Sequence, residues 1–206
     1  MPDPENYPLQ GTQYNQAIED ITALPFNKSR PSRGVGVNRE GAYFENTNAH
    51  MGTYIPAEAQ TNGMTVFLRV KYISYLRAWK GCICVSRNNN VRLETTSDGF
   101  ALYHGIPQAA TMVKTYDNSW RANEFYNFVY TIEHDGAGGV IYTLYDDGEL
   151  VAQATHTSFP TLDFMALNTK ADGGYEADIL PAPNTYVYRY AAWSRVLTED
   201  EIKNLF

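Results

Sequence analysis

The sequence predicts an all-β fold: two antiparallel sheets packed as a sandwich or jelly roll, with a short helix at the C-terminus. Three observations predict it. Short runs rich in Val, Ile, Thr, Tyr and Phe alternate apolar with polar residues, the period of a half-buried strand. Turn-forming pairs such as Asp147-Gly148 punctuate those runs at short intervals. Only the residues from Thr198 onward carry a full set of helix-start signals.

The hairpin is clearest over 141–154. Two runs of β-branched and aromatic residues flank Asp147-Gly148, a pair that tolerates positive φ at both central positions of a type I′ turn. That turn sets Tyr145 opposite Leu150, Leu144 opposite Val151 and Tyr142 opposite Gln153. Upstream, Tyr126, Phe128, Tyr130 and Ile132 share one face of a strand, and Asn127, Thr131 and Glu133 the other. A Gly-rich loop over 135–139 joins it to the hairpin. The resulting meander has an apolar face that demands a second layer.

Earlier in the chain, strands are expected at 42–44, near 54–56, at 64–73, 81–86, 91–95 and 100–104, with a shorter one at 111–116. In 64–73, Met64, Val66, Leu68, Val70 and Tyr72 face one way, and Thr65, Arg69 and Lys71 the other. Later strands are expected at 162–168 and 185–193, separated by a polar loop rich in Gly and Pro. In the last, Tyr186, Tyr188 and Tyr190 share a face. At the C-terminus Thr198 is the N-cap and Glu201 stands three residues on, the arrangement of a capping box. Leu197 and Ile202 are placed as a hydrophobic staple, and Glu199, Asp200 and Glu201 fill the turn that the helix dipole favours for negative charge.

Residues 1–38 differ in texture, with frequent Pro, Asn, Gln and Ser and no strand periodicity. Tyr14, Ala17, Ile18 and Ile21 have helical spacing and suggest one short helix, ended by Pro25 and Pro31. The segment reads as an N-terminal arm that either packs on the domain at 39–206 or docks a partner.

The chain has 206 residues, 44% of them hydrophobic, which is enough for one β domain with a substantial core. Its net charge of −7 and pI near 5.1 argue against partnership with nucleic acid or an anionic membrane. Met1–Asn6 has neither the basic nor the apolar region of a signal peptide, and no run is long enough to cross a membrane as a helix. Cys82 and Cys84, two apart on a strand, have parallel side-chain vectors, poor geometry for a disulfide, and read as small buried apolar residues.

The succession of 42–45, 64–70, 128–133, 142–152 and 188–202 resembles the concanavalin A-like lectin/glucanase superfamily, and within it laminin G-like and pentraxin-like domains. The Asp-Gly hairpin and the closing Arg195-Val196-Leu197-Thr198-Glu199-Asp200-Glu201-Ile202 are its most specific parts. The resemblance implies a jelly roll of two antiparallel sheets, one concave. Members of the superfamily bind sugars, proteins or calcium, hydrolyse glycosides, or serve only as structure.

Its hydrolases need carboxylates alternating on one strand, about 5–5.5 Å apart for a retaining mechanism. Here Glu133 and Asp135, and likewise Glu176 and Asp178, lack a third acid and fall at strand ends or in loops. No nucleophile elbow or phosphate-cradling loop is present. The expectation is therefore a protein that is not an enzyme. No cofactor is required by the residues; the resemblance leaves calcium open, with Asp117 and Asp172 as loop candidates. For a ligand, aromatics beside polar loops are the natural contacts, since sugar rings stack on flat faces while polar groups bond the hydroxyls. Tyr103, His104, Tyr116, Asn118 and Trp120 form the best such clusters, with Trp79 and Trp193 as alternatives, although Trp193 is expected to pack in the core near the terminal helix.

The function expected is a non-catalytic adhesion module recognising a glycan or glycoprotein on a cell surface. The resemblance suggests a component of a phage particle, a fibre or capsid decoration, attached to other virion or assembly proteins through residues 1–38. Its location would be the virion, or an extracellular surface if the chain is a trimmed piece. A purely structural assembly protein is the alternative, and a glycoside hydrolase follows it.

Overall fold

The computed structural model describes residues 35–38, 41–44, 51–72, 80–86, 91–96, 99–104, 123–167, 180–181 and 185–206. The predicted helix around Tyr14–Ile21, the strand at 111–116 and most of the loop after residue 168 lie outside them.

Two sheets organise the described residues. The larger has seven strands. Its order is β1 (Val35–Asn38), β2 (Gly41–Phe44), β13 (Thr185–Trp193), β4 (Met64–Tyr72), β8 (Phe125–His134), β9 (Val140–Asp146), β10 (Glu149–His156). The smaller runs β3 (Met51–Tyr54), β11 (Phe164–Leu167), β5 (Lys80–Ser86), β6 (Val91–Thr96), β7 (Gly99–Tyr103). Neighbours pair antiparallel, except that β12 (Leu180–Pro181), within the stretch read as loop, adds a short parallel pairing to β5. The described residues also include two helices of one turn: α1 (Glu58–Asn62) and α2 (Glu199–Lys203).

The first strand, β1, falls inside the stretch read as arm. Four residues, Val-Gly-Val-Asn, are too few to display a period, and Gly36 shows no side chain to either face. Pairing with β2 over its whole length holds it.

The hairpin has its type I′ turn, with φ of 47° at Asp147 and 83° at Gly148. Tyr145 stands opposite Leu150 as expected, but Leu144 meets Ala152 and Tyr142 meets Ala154. Val151 is the extra residue of a bulge, which shifts every later pair by one. A second bulge, at Tyr188, shifts β13 against β4. Bulges leave no mark in an apolar–polar alternation, so neither was predictable from it.

One face of the larger sheet carries Met64, Val66, Leu68 and Val70 of β4, Phe128, Tyr130 and Ile132 of β8, and Tyr142 and Leu144 of β9, all buried. This is the expected apolar face. The opposite face, expected to be polar, is half buried as well. Across it run rows of directly paired residues. One is Trp193, Thr65, Thr131, Thr143; the next is Ala191, Phe67, Val129, Tyr145. All eight are buried, and the C-terminal segment folds back over most of them, its Arg195 carbonyl and Leu197 N–H bonded to Thr65. Leu197, Ile202 and Leu205 join Phe67, Val129, Tyr145, Ala191 and Trp193 in one cluster. Burying each large aliphatic side chain there contributes roughly 1.5–3 kcal/mol.

The sequence signals of α2 are all realised. Thr198 accepts the Glu201 N–H and Glu201 accepts the Thr198 N–H, a complete capping box. Leu197 and Ile202, the staple pair, are 3% and 0% exposed.

Candidate ligand-binding face

The lid formed by α2 stops short. Beyond the row of Ala191, Phe67, Val129 and Tyr145, the same outer face continues with Arg189, Arg69 and Asn127 in register, and then Tyr186, Lys71 and Phe125. None of these is fully buried, and Phe125 is 37% exposed. Three neighbouring strands, β13, β4 and β8, span roughly 10 Å at the usual strand spacing. That is the footprint of a short oligosaccharide.

The Tyr188 bulge completes this face. A bulge bends the strand and re-aims the side chain of its extra residue. Tyr188 thereby joins Phe125, edge to face at 5.4 Å between ring centroids. Arg69 lies 4.7 Å from the centroid of Phe125 and 5.5 Å from that of Tyr188. Lys71 lies 5.0 Å from Phe125 and 5.1 Å from Tyr186. Arg189 lies 5.6 Å from Tyr188. Each cation–π contact contributes about 0.5–1 kcal/mol at an exposed site and fixes the side chain before any ligand arrives. Neither Arg69 nor Lys71 forms an ion pair with a described residue. At the edge, Asn127 donates to the Asp147 carboxylate at 2.6 Å, tying the face to the hairpin turn.

Such a face offers flat apolar rings for stacking and charged donors for bonding. The polar pattern of Arg69-x-Lys71 and the Tyr-x-Tyr of the last strand were visible in the sequence. Their lateral assembly was not, because it depends on β13 pairing with β4 and on an invisible bulge.

The residues singled out from the sequence fare differently. Tyr116, Asp117, Asn118, Trp120, Asp172 and Trp79 lie outside the described residues. Tyr103 ends β7, in register with Arg92. His104 is buried, 3% exposed, so it lies in the interior and not beside a polar loop at the surface. Its Nδ1 lies 2.6 Å from the Tyr142 hydroxyl, and its ring stacks on His156 at 3.8 Å. Burial, helped by the nearby His156, lowers its pKa to about 4, so it is neutral at neutral pH. Burial likewise pushes the Tyr142 phenol above its ordinary range. This contact ties the end of β7 in the smaller sheet to β9 in the larger. Trp193 is fully buried beneath α2.

Among the acids, Asp135 accepts the N–H groups of Ala137 and Gly139 at 2.7 and 2.8 Å, as a turn former does. Among the described residues, no group of three or more His, Cys, Asp or Glu is placed to hold a metal ion, and no helix is long and apolar enough to cross a membrane.

No protein-family model matches the chain, and no curated protein matches it. Solved structures do. Trypanosoma rangeli sialidase in complex with sialic acid superposes with a TM-score of 0.64 at 11% identity, over 94% of this chain and 36% of that one. Domain 4 of AbnA, a GH43 extracellular arabinanase from Geobacillus stearothermophilus, in complex with arabinotriose, superposes with a TM-score of 0.55 at 12% identity. That match covers 85% of this chain and 81% of the arabinanase domain. The chain shares its fold with them. It spans about a third of the sialidase's length, 28% to 36% in different structures of that enzyme.

Proposed function

We propose that this protein is a non-catalytic glycan-binding module built on a concanavalin A-like jelly roll, and that it binds sugar at the open end of the outer face of the larger sheet. The observation that carries this is the cluster of Phe125, Tyr186 and Tyr188 interleaved with Arg69, Lys71 and Arg189, beyond the edge of the helical lid. Sugar sites need flat apolar surface with a few fixed polar groups, and both are present here. The fold is in keeping with this, since solved structures that share it were obtained with sialic acid and with arabinotriose. The engagement of Asp135 in its own loop fits a structural role for that carboxylate.

We further propose that the module belongs to a phage particle, where it would attach to other assembly proteins through the chain ahead of β1 and adhere to a cell-surface glycan. Deleting residues 1–34 and measuring incorporation into particles tests that part; unchanged incorporation contradicts it.

A glycan array probed with the intact protein and with Phe125→Ala tests the binding function. Binding to a defined set of glycans, lost or reduced at least about tenfold in the variant, is the expected result. Absence of binding to every glycan contradicts it and favours a purely structural role.

A further inference from the structure

The open face is cationic in a protein whose net charge is −7. Resting on the glycan-binding reading, we propose that the face selects a carboxylated saccharide, with Arg69 and Lys71 bonding the carboxylate while the rings of Phe125 and Tyr188 pack on the sugar.

Among the described residues, aromatic rings, not acids, hold the cations. Arg69 and Lys71 are paired in register with Asn127 and Phe125 on one side and with Arg189 and Tyr186 on the other. No acid occupies those positions. Their described contacts are to ring faces; the Arg69 Nε is buried, and its terminal amino groups and the Lys71 ammonium remain to donate. Placing Arg69 and Lys71 two residues apart on one face of β4 also carries a mutual repulsion that an anion relieves.

The choice of a carboxylate follows from charge and shape. A guanidinium matches a planar carboxylate in a two-pronged hydrogen bond, the stronger kind of charge-assisted contact. A densely sulfated polymer needs a long basic track instead. Here the positive face is short, and Asp147 and Glu149 stand at the hairpin turn next to its β8 edge, with Glu124 just before that strand. Those acids repel a polyanion but leave room for a single carboxylate.

The aromatic rings add what a bare anion site lacks. Phe125 is the most exposed of them, and it touches Arg69, Lys71 and Tyr188 together. A sugar seated on it brings its carboxylate within reach of both cations, so that stacking and charge act on one ligand.

The test is calorimetric titration of the full chain with 3′-sialyllactose, lactose, 3′-sulfolactose and a polyglutamate peptide, at low and at high salt. The intact protein is expected to bind sialyllactose at least about tenfold tighter than lactose, a preference that shrinks with salt. It is expected to bind sialyllactose tighter than either sulfolactose or the peptide. Lys71→Gln and Arg69→Gln, each checked for an unchanged melting temperature, should lose most of the preference for sialyllactose over lactose. Because Arg69 is half-buried, Lys71→Gln serves alone if the Arg69 variant is destabilised. Equal affinity for lactose and sialyllactose overturns the proposal, as does a preference that survives Lys71→Gln, or equal or tighter binding of sulfolactose or the peptide. Binding of neutral glycans without preference for acid leaves the glycan-binding function standing and refutes only this inference; silence on every glycan refutes both.

Discussion

The Thr65 hydroxyl accepts the Leu197 N–H at 2.9 Å and donates to the Arg195 carbonyl at 2.9 Å. Thr65 is fully buried, so this side chain satisfies two backbone groups that have lost water. It pins the segment that leads into α2 onto the sheet. Replacing Thr65 by Val keeps the shape and strands both groups, at about 1–3 kcal/mol. A fall in melting temperature of several degrees by calorimetry is expected; an unchanged value would show that the segment is held by its apolar contacts alone.

Arg195 reinforces the same segment. It directs two N–H groups onto the Glu201 carboxylate, at 2.9 and 2.6 Å, while Glu201 also accepts the Thr198 N–H at 2.8 Å. Chiefly through Arg195, the carboxyl pKa is lowered to about 2 from an ordinary value of 4.5. A depressed carboxyl stabilises the fold above its unfolded value, and that contribution is lost as pH falls from about 4.5 to 2. Glu201→Gln should flatten the stability profile in that window, and Thr198→Ala should cost about 1 kcal/mol at neutral pH. Denaturant titrations at several pH values check both.

His104 acts at higher pH. Its pKa of about 4 lies below the ordinary 6.5. The unfolded chain therefore takes up a proton that the folded chain refuses, and stability falls as pH drops from about 6.5 to 4. The same physics underlies His104→Asn, which should be less stable at pH 7, having lost the contact with Tyr142, yet less sensitive to acid in that window. Unfolding followed by fluorescence across the range measures it; identical slopes for both proteins would contradict the assignment.

Legibility in the sequence followed physical locality. The α2 signals are contained within a few residues, from Leu197 to Ile202, and every one is realised. The Asp147-Gly148 turn is equally local. What eluded pattern reading depends on partners far along the chain. Thr65 looks like a solvent-facing residue until the C-terminal segment covers it. Tyr188 looks like a companion of Tyr190 until a bulge separates their registers, and Tyr190 comes to stand opposite Leu68. His104 looks like a surface polar group until Tyr142 and His156 enclose it. The candidate face is a product of these same long-range pairings, so the sequence offered its residues without their assembly.

Gly148 connects the turn to the lid. With φ of 83° it occupies backbone space that disfavours a side chain, and a Cβ there would lie 3.3 Å from the ring of Phe206. Phe206 in turn packs edge-on against Phe67, with centroids 5.7 Å apart. Gly148→Ala is expected to destabilise by about 1–2 kcal/mol through backbone strain and a displaced Phe206. Chemical denaturation measures the loss, and a variant as stable as the parent would contradict the tight seating of the turn against the last residue.

The central claim, that sugar seats on the open outer face beyond the helical lid, is tested most directly by amide chemical-shift mapping of the full chain during titration with a glycan it binds. Shifts concentrated on Arg69, Lys71, Phe125, Tyr186 and Tyr188 are the predicted result. Shifts centred elsewhere, on the β10 edge or around Tyr103 and His104, with those five unmoved, would contradict it.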